Sequence, residues 1–133
     1  MTPVYEDNHI IIVSKLSGEI VQSDKTGDVP LVEIVKKYLK EKYAKPGNVF
    51  LGVVHRLDRP VWGLVAFDKT SKALSRMNAL FRTGDVQKTY WAIVQSYPEN
   101  EAGELVHWLT RNEKQNKSYA HDHEVPEIGR AHV

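Results

Sequence analysis

Residues 53–67 read VVHRLDRPVWGLVAF: two apolar runs joined by a polar burst, His55-Arg56-Leu57-Asp58-Arg59, that Pro60 closes. Short apolar runs bounded by turn residues are the pattern of buried strands. The spacing therefore predicts a strand over Val49–Val54, a connection at 55–61 and a second strand over Trp62–Phe67. Upstream, Asp28 and Pro30 are helix-start signals. After them Leu31, Ile34, Val35, Tyr38 and Leu39 recur at helical spacing until Lys45-Pro46-Gly47 stops the run. Downstream, Thr70 or Ser71 can cap a helix whose apolar face is Ala73, Leu74, Met77, Leu80 and Phe81, ended by Thr83-Gly84-Asp85. Further strands are predicted over His9–Val13, Val86–Val94 and Glu104–Thr110, with a turn over Pro98–Gly103 and turns, with an edge strand as the alternative, over Lys15–Asp28. Strands and helices in this order predict an α+β fold, a mixed and mostly antiparallel sheet flanked by helices.

Composition narrows the class. At 133 residues the chain is one domain or a piece of one, and 41% hydrophobic residues suffice for a core. No stretch approaches the roughly 18 consecutive apolar residues of a membrane span. The absence of cysteine rules out disulfides, a thiol nucleophile and a cysteine zinc site. MTPVYEDNH has neither the basic nor the apolar region of a secretory leader, so the expected compartment is the cytoplasm. The net charge of +1 hides an uneven distribution. Seven bases face three acids between residues 55 and 91, whereas three bases face seven acids between 97 and 127. The middle of the chain is thus suited to a phosphate backbone, although scattered solvated charge has the same composition.

Asp58 lies between Arg56 and Arg59, and both guanidinium groups favour its ionised form. If 55–58 is extended, Arg56 and Asp58 share a side and Leu57 points into the core. Such a carboxylate, held at the mouth of a basic cleft, can serve as nucleophile or base toward an anionic substrate. A surface turn with a local Asp–Arg pair fits the same residues.

The segment GVVHRLDRPVWGLVAFDKTSKALSRMNALFR, followed by KTYWAIV, resembles the RluA-type uridine-to-pseudouridine synthases, from about Glu6 to about Val125. The resemblance implies that Asp58 is the catalytic aspartate that enables the glycosidic bond of a uridine to break before the base rejoins the ribose through carbon 5. Attack on the sugar, attack on the base and removal of a ribose proton all remain open as its role. Tyr90 matches a tyrosine that packs on the target base and is a candidate for handling the carbon-5 proton. Arg56 matches the arginine that fills the stack emptied by the flipped uridine. Lys88 shares a strand face with Tyr90 and is a candidate phosphate contact. His55 and Arg59 belong to the motif, with support of the loop as their expected part. The implied partner is ribosomal or transfer RNA, with no cofactor, no metal and no membrane, and a monomer is expected. A non-catalytic RNA-binding module is the alternative.

Two departures stand out. Trp62 occupies a position where the family usually has a small hydroxyl residue. The family's third motif, roughly T-G-R-x-H-Q-I-R, supplies a basic partner for the aspartate, and this chain does not contain it. Residues 1–126 are therefore expected to be the N-terminal portion of one catalytic domain, inactive by itself. The tail EIGRAHV, residues 127–133, back-translates to a common sequencing adapter whose next in-frame codon is a stop, and is expected to be non-native. Asp24-Lys25-Thr26-Gly27 reads as a turn rather than a phosphorylation motif, and His121-Asp122-His123 lacks a third metal ligand.

Overall fold

The computed structural model describes residues 1–125 and the backbone of 129–132. The tail expectation for Glu127, Ile128 and Val133 lies outside the described residues. The chain forms two units, Met1–Thr89 and Tyr90–Val133.

The first unit is an antiparallel sheet with two helices. Its strands are β1 (Thr2–Glu6), β2 (Ile10–Lys15), β3 (Gly52–Val53) and β4 (Gly63–Asp68), in the spatial order β1-β2-β4-β3. Period-two alternation in β2 buries Ile11, Val13 and Lys15 on one face, and β4 adds Val65 and Phe67. Helix α1 (Leu31–Lys42) lays Leu31, Val32, Val35 and Leu39 against that face. No side chain caps its start. The Leu31 and Val32 amides donate instead to the carbonyls of Ile20 (2.7 Å) and Val21 (3.1 Å), tying the 16–30 loop to the helix. Asp28, read in the sequence as a start signal, is engaged elsewhere.

Helix α2 (Ser71–Thr83) begins where the Thr70 hydroxyl accepts from the Ala73 amide at 3.1 Å, and it is capped at Gly84. It packs across β3, where a Cβ on Gly52 would lie 2.9 Å from Leu74, so glycine allows the close approach.

The second unit is a three-stranded antiparallel sheet in the order β6-β5-β7, from β5 (Val106–Asn112), β6 (Lys117–His121) and the backbone of β7 (Gly129–His132). His121 contacts the Thr110 hydroxyl at 3.0 Å and meets the His123 ring edge-on, while His107 faces Asp122 at 3.2 Å. Among the described residues no group of three such side chains is placed to hold a metal ion, and no helix is long and apolar enough to cross a membrane.

Two predicted strands differ from the structure. Val49–Val54 shortens to Gly52–Val53; at its far end the His55 ring takes the Ala66 amide, which the next ladder step at Val54 would use. Val86–Val94 forms no ladder with any described strand, and Trp91 and Ile93 stand fully exposed. Its alternation encodes a strand, but a strand forms only beside a neighbour that accepts its hydrogen bonds.

Glu6 knots the elements of the first unit. Its carboxylate receives Lys42 (2.8 Å) from the end of α1, Lys69 (2.9 Å) from the end of β4, and the Tyr43 hydroxyl (2.6 Å). Burial pushes this carboxyl up, but the hydrogen bonds from Lys42, Tyr43 and Lys69 outweigh it and hold the group at about 2. Asp68 is the opposite case. It is fully buried, neither oxygen has a hydrogen bond among the described residues, and burial raises it from 3.8 to about 6.

The two carboxylates act on stability with opposite sign. The Glu6 contribution is present above about 4.5 and fades as pH falls toward 2, so Glu6→Gln should cost about 1–3 kcal/mol at pH 7 and progressively less in acid. The Asp68 penalty is absent below 3.8 and complete above about 6. Asp68→Asn should therefore raise the melting temperature at pH 7 and match wild type near pH 4. Thermal unfolding across pH 3–8 checks both.

Candidate active-site cleft

The connection between β3 and β4 is held from beneath by Lys15. Its ammonium donates to the carbonyls of Asp58 (3.0 Å) and Arg59 (3.1 Å), to that of Val61, and to Leu16 (3.1 Å). Lys15 is fully buried. Burial pushes its pKa down, and the nearby Arg59 charge adds to this, while the Glu19 and Asp58 carboxylates favour the ammonium. Four carbonyl oxygens around one charge replace the water it has lost. The sequence reading assigned Lys15 only to a turn region. The signal was available, because Ile11, Val13 and Lys15 fall on one face of a strand, and a lysine on a buried face needs a partner.

The side chains of the loop divide into those engaged and those presented. His55 accepts the Ala66 amide on Nε2 at 2.9 Å and stacks on Phe81 at 5.2 Å between ring centroids. Burial, and then the positive charge of Lys88, lower its pKa, as suits a neutral ring acting as acceptor. Leu57 packs against the core. It also lies 3.4 Å from where a Gly63 Cβ would be; Gly63 has φ +152°, a value side chains disfavour. Arg59 turns back to the 16–30 loop. It donates to Asp28 (2.8 Å), Asp24 (3.1 Å), the Thr26 hydroxyl (3.0 Å) and the Gly18 carbonyl (3.1 Å). Asp24 also accepts the Thr26 amide at 2.9 Å, so the DKTG segment is a turn built to receive Arg59.

Arg56 and Asp58 remain. Both are exposed, and neither side chain has a hydrogen bond or ion pair among the described residues. They line one cleft of about 610 Å³, whose apolar floor includes Val32, Leu51 and Val53; Lys36 also lines it, its ammonium paired with Glu33 at 2.8 Å. An exposed carboxylate over an apolar floor, with an unpaired guanidinium beside it, can act as nucleophile or base on a planar group bound in the cleft.

The other expected site residues are placed separately. Lys88 follows α2 in the first unit, close enough for its charge to act on His55. Tyr90 opens the second unit with an exposed ring.

The family model for RNA pseudouridylate synthase matches residues 9–132. Ribosomal large subunit pseudouridine synthase C of Vibrio cholerae is 33% identical over 110 residues, which cover 83% of this chain and 33% of the relative. tRNA pseudouridine synthase C of Vibrio vulnificus is 33% identical over 102 residues, covering 77% of this chain and 39% of the relative. The chain thus spans about a third of the length of the curated relatives it matches. The solved structure of human RNA pseudouridylate synthase domain containing 4 superposes with a TM-score of 0.77 at 19% identity. The match covers 98% of this chain and 51% of that one, and it shows the same fold.

Removing the Lys15 ammonium should loosen the loop more than the sheet. Lys15→Met is expected to lower stability by about 1–3 kcal/mol, since buried carbonyls lose their donor. It should also speed amide hydrogen exchange in the 58–61 loop relative to β2 and β4. Equal protection of the loop in both proteins would contradict the pinning.

Proposed function

The chain belongs to the RNA pseudouridylate synthase family, and we propose that it forms the aspartate-bearing part of an enzyme that isomerises uridine to pseudouridine in structured ribosomal or transfer RNA. The observation that carries this reading is Asp58, an exposed carboxylate without a partner among the described residues, on a loop whose backbone is fixed. The reaction breaks the N1–C1′ bond and makes a C5–C1′ bond. The carbon-5 proton leaves and N1 gains one, so the change is balanced without an oxidant or reductant.

The reacting atoms are inaccessible in stacked RNA, so the uridine must leave its stack. In this proposal the base enters over the apolar floor toward Asp58, Arg56 occupies the space vacated, and Lys36 and Lys88 meet phosphates. His55 and Arg59 position the loop without touching substrate. Tyr90 is the proposed contact to the target base and the candidate for handling the carbon-5 proton. Asp58 acts as nucleophile or base, and three routes remain: attack on the sugar, attack on the base, or removal of a ribose proton. We also propose that these 133 residues are inactive alone, supported by the absence of a basic partner for Asp58 among the described residues. Residues 127–133 are proposed to be adapter-encoded; genomic sequence beyond the Pro126 codon that reads EIGRAHV would refute this.

The test is tritium release from RNA carrying carbon-5 tritiated uridine, with this chain and with the protein from its uninterrupted reading frame. Release by the longer protein, and loss of at least about a hundredfold in its Asp58→Ala variant, is expected. Undiminished release by Asp58→Ala would remove the aspartate from the chemistry. A longer protein that binds RNA and never releases tritium would instead be a binding module.

A further inference from the structure

Arg56, Asp58 and Trp62 in the 55–62 segment are presented rather than engaged, and Val61 beside Trp62 is also exposed. The indole of Trp62 is 76% exposed. No hydrogen bond, ring contact or cation–π partner engages it among the described residues. Its backbone is fixed on both sides. Pro60 restricts the turn before it, the Val61 amide donates to the Asp58 carbonyl at 3.0 Å, and the Val61 carbonyl is held by Lys15. Gly63, directly after it, is paired with Lys15 in the β2–β4 ladder. A large aromatic ring thus stands in water on a stem that has lost its conformational freedom, four residues beyond an unpartnered carboxylate. Single exposed apolar side chains are ordinary on protein surfaces. A preorganised one beside a reactive loop is poised to bind, because the entropy of ordering its stem is already spent.

We propose that Trp62 is a stacking platform for an unpaired base next to the uridine that enters the Asp58 cleft, and so a determinant of which RNA loop is accepted. This rests on the RNA-modifying reading above and names the part of the substrate it takes. The chemistry favours a base over an apolar protein segment. The same loop carries the exposed guanidinium of Arg56, unpaired among the described residues, a cation suited to a phosphate flanking a stacked base. Every base offers a π face, so the platform selects for an unpaired, accessible neighbour rather than for one base identity.

The experiment measures affinity of the longer protein used in the tritium-release test for a fluorescein-labelled, uridine-containing RNA stem-loop by anisotropy, over a range of salt. Trp62→Ser, at an exposed site, should fold as wild type does. It should bind roughly 5- to 150-fold more weakly with an unchanged salt slope, and Trp62→Phe should recover much of the loss. An RNA with abasic sites flanking the uridine should bind wild type as poorly as the intact RNA binds Trp62→Ser. Arg56→Ala, in contrast, should flatten the salt slope. Wild-type affinity in Trp62→Ser, with Arg56→Ala still weakened, overturns the stacking role and leaves the RNA reading standing. No binding by any form overturns both. Self-association of wild type that Trp62→Ser abolishes, with RNA affinity unchanged, overturns the proposal in favour of a protein contact.

Discussion

A single buried ammonium group organises the loop on which the rest of the site depends. Lys15 ends the inward face of β2, where the pattern of Ile11 and Val13 calls for another apolar residue. In its place a charge is buried, tolerable because backbone carbonyls of the 58–61 loop surround it. That arrangement fixes the backbone of the loop without using any of its side chains. Asp58 and Arg56 are thereby left exposed over the cleft, while His55, Leu57 and Arg59 face inward or sideways as supports. The loop is a rigid mount on which Asp58 and Arg56 stand unpaired among the described residues.

The support extends outward in layers of different chemistry. Arg59 joins the loop to Asp24 and Asp28, and the Ile20 and Val21 carbonyls join that region to the start of α1. Glu6 closes the far end by gathering Lys42 and Lys69. These contacts link the cleft wall, the helix and both ends of the sheet. Asp68 works against them, a buried carboxylate whose ionisation the fold opposes. The first unit is therefore least encumbered under mildly acidic conditions, where Asp68 is neutral and Glu6 still charged.

Much of this was legible in the sequence. The alternation around 53–67 and the helical spacing at 31–39 and 73–81 marked β4, α1 and α2, since each buries a face set by a local period. The α+β class followed from their order. The apolar run at 49–54 overstated β3; periodicity does not register that His55 takes the next ladder position on Ala66. The 86–94 alternation named a strand that has no neighbour among the described residues, for pairing depends on a partner that a local pattern cannot supply. At the cleft, the outward placement of Arg56 and Asp58 and the inward turn of Leu57 were readable from the period. The long-range links were not. Lys15 reaches residues more than forty positions away, and Arg59 reaches back more than thirty to turns that looked like ordinary loop.

The central claim is that a backbone-pinned loop presents Asp58 to an unstacked uridine. The most direct measurement is a structure of the longer protein of the tritium-release test bound to a uridine-containing RNA stem-loop. The account predicts a uridine turned out of its stack, with its ribose or base about 3–3.5 Å from the Asp58 carboxylate and Lys15 still on the loop carbonyls. A uridine left stacked, or turned out toward a different carboxylate with Asp58 remote, would contradict it.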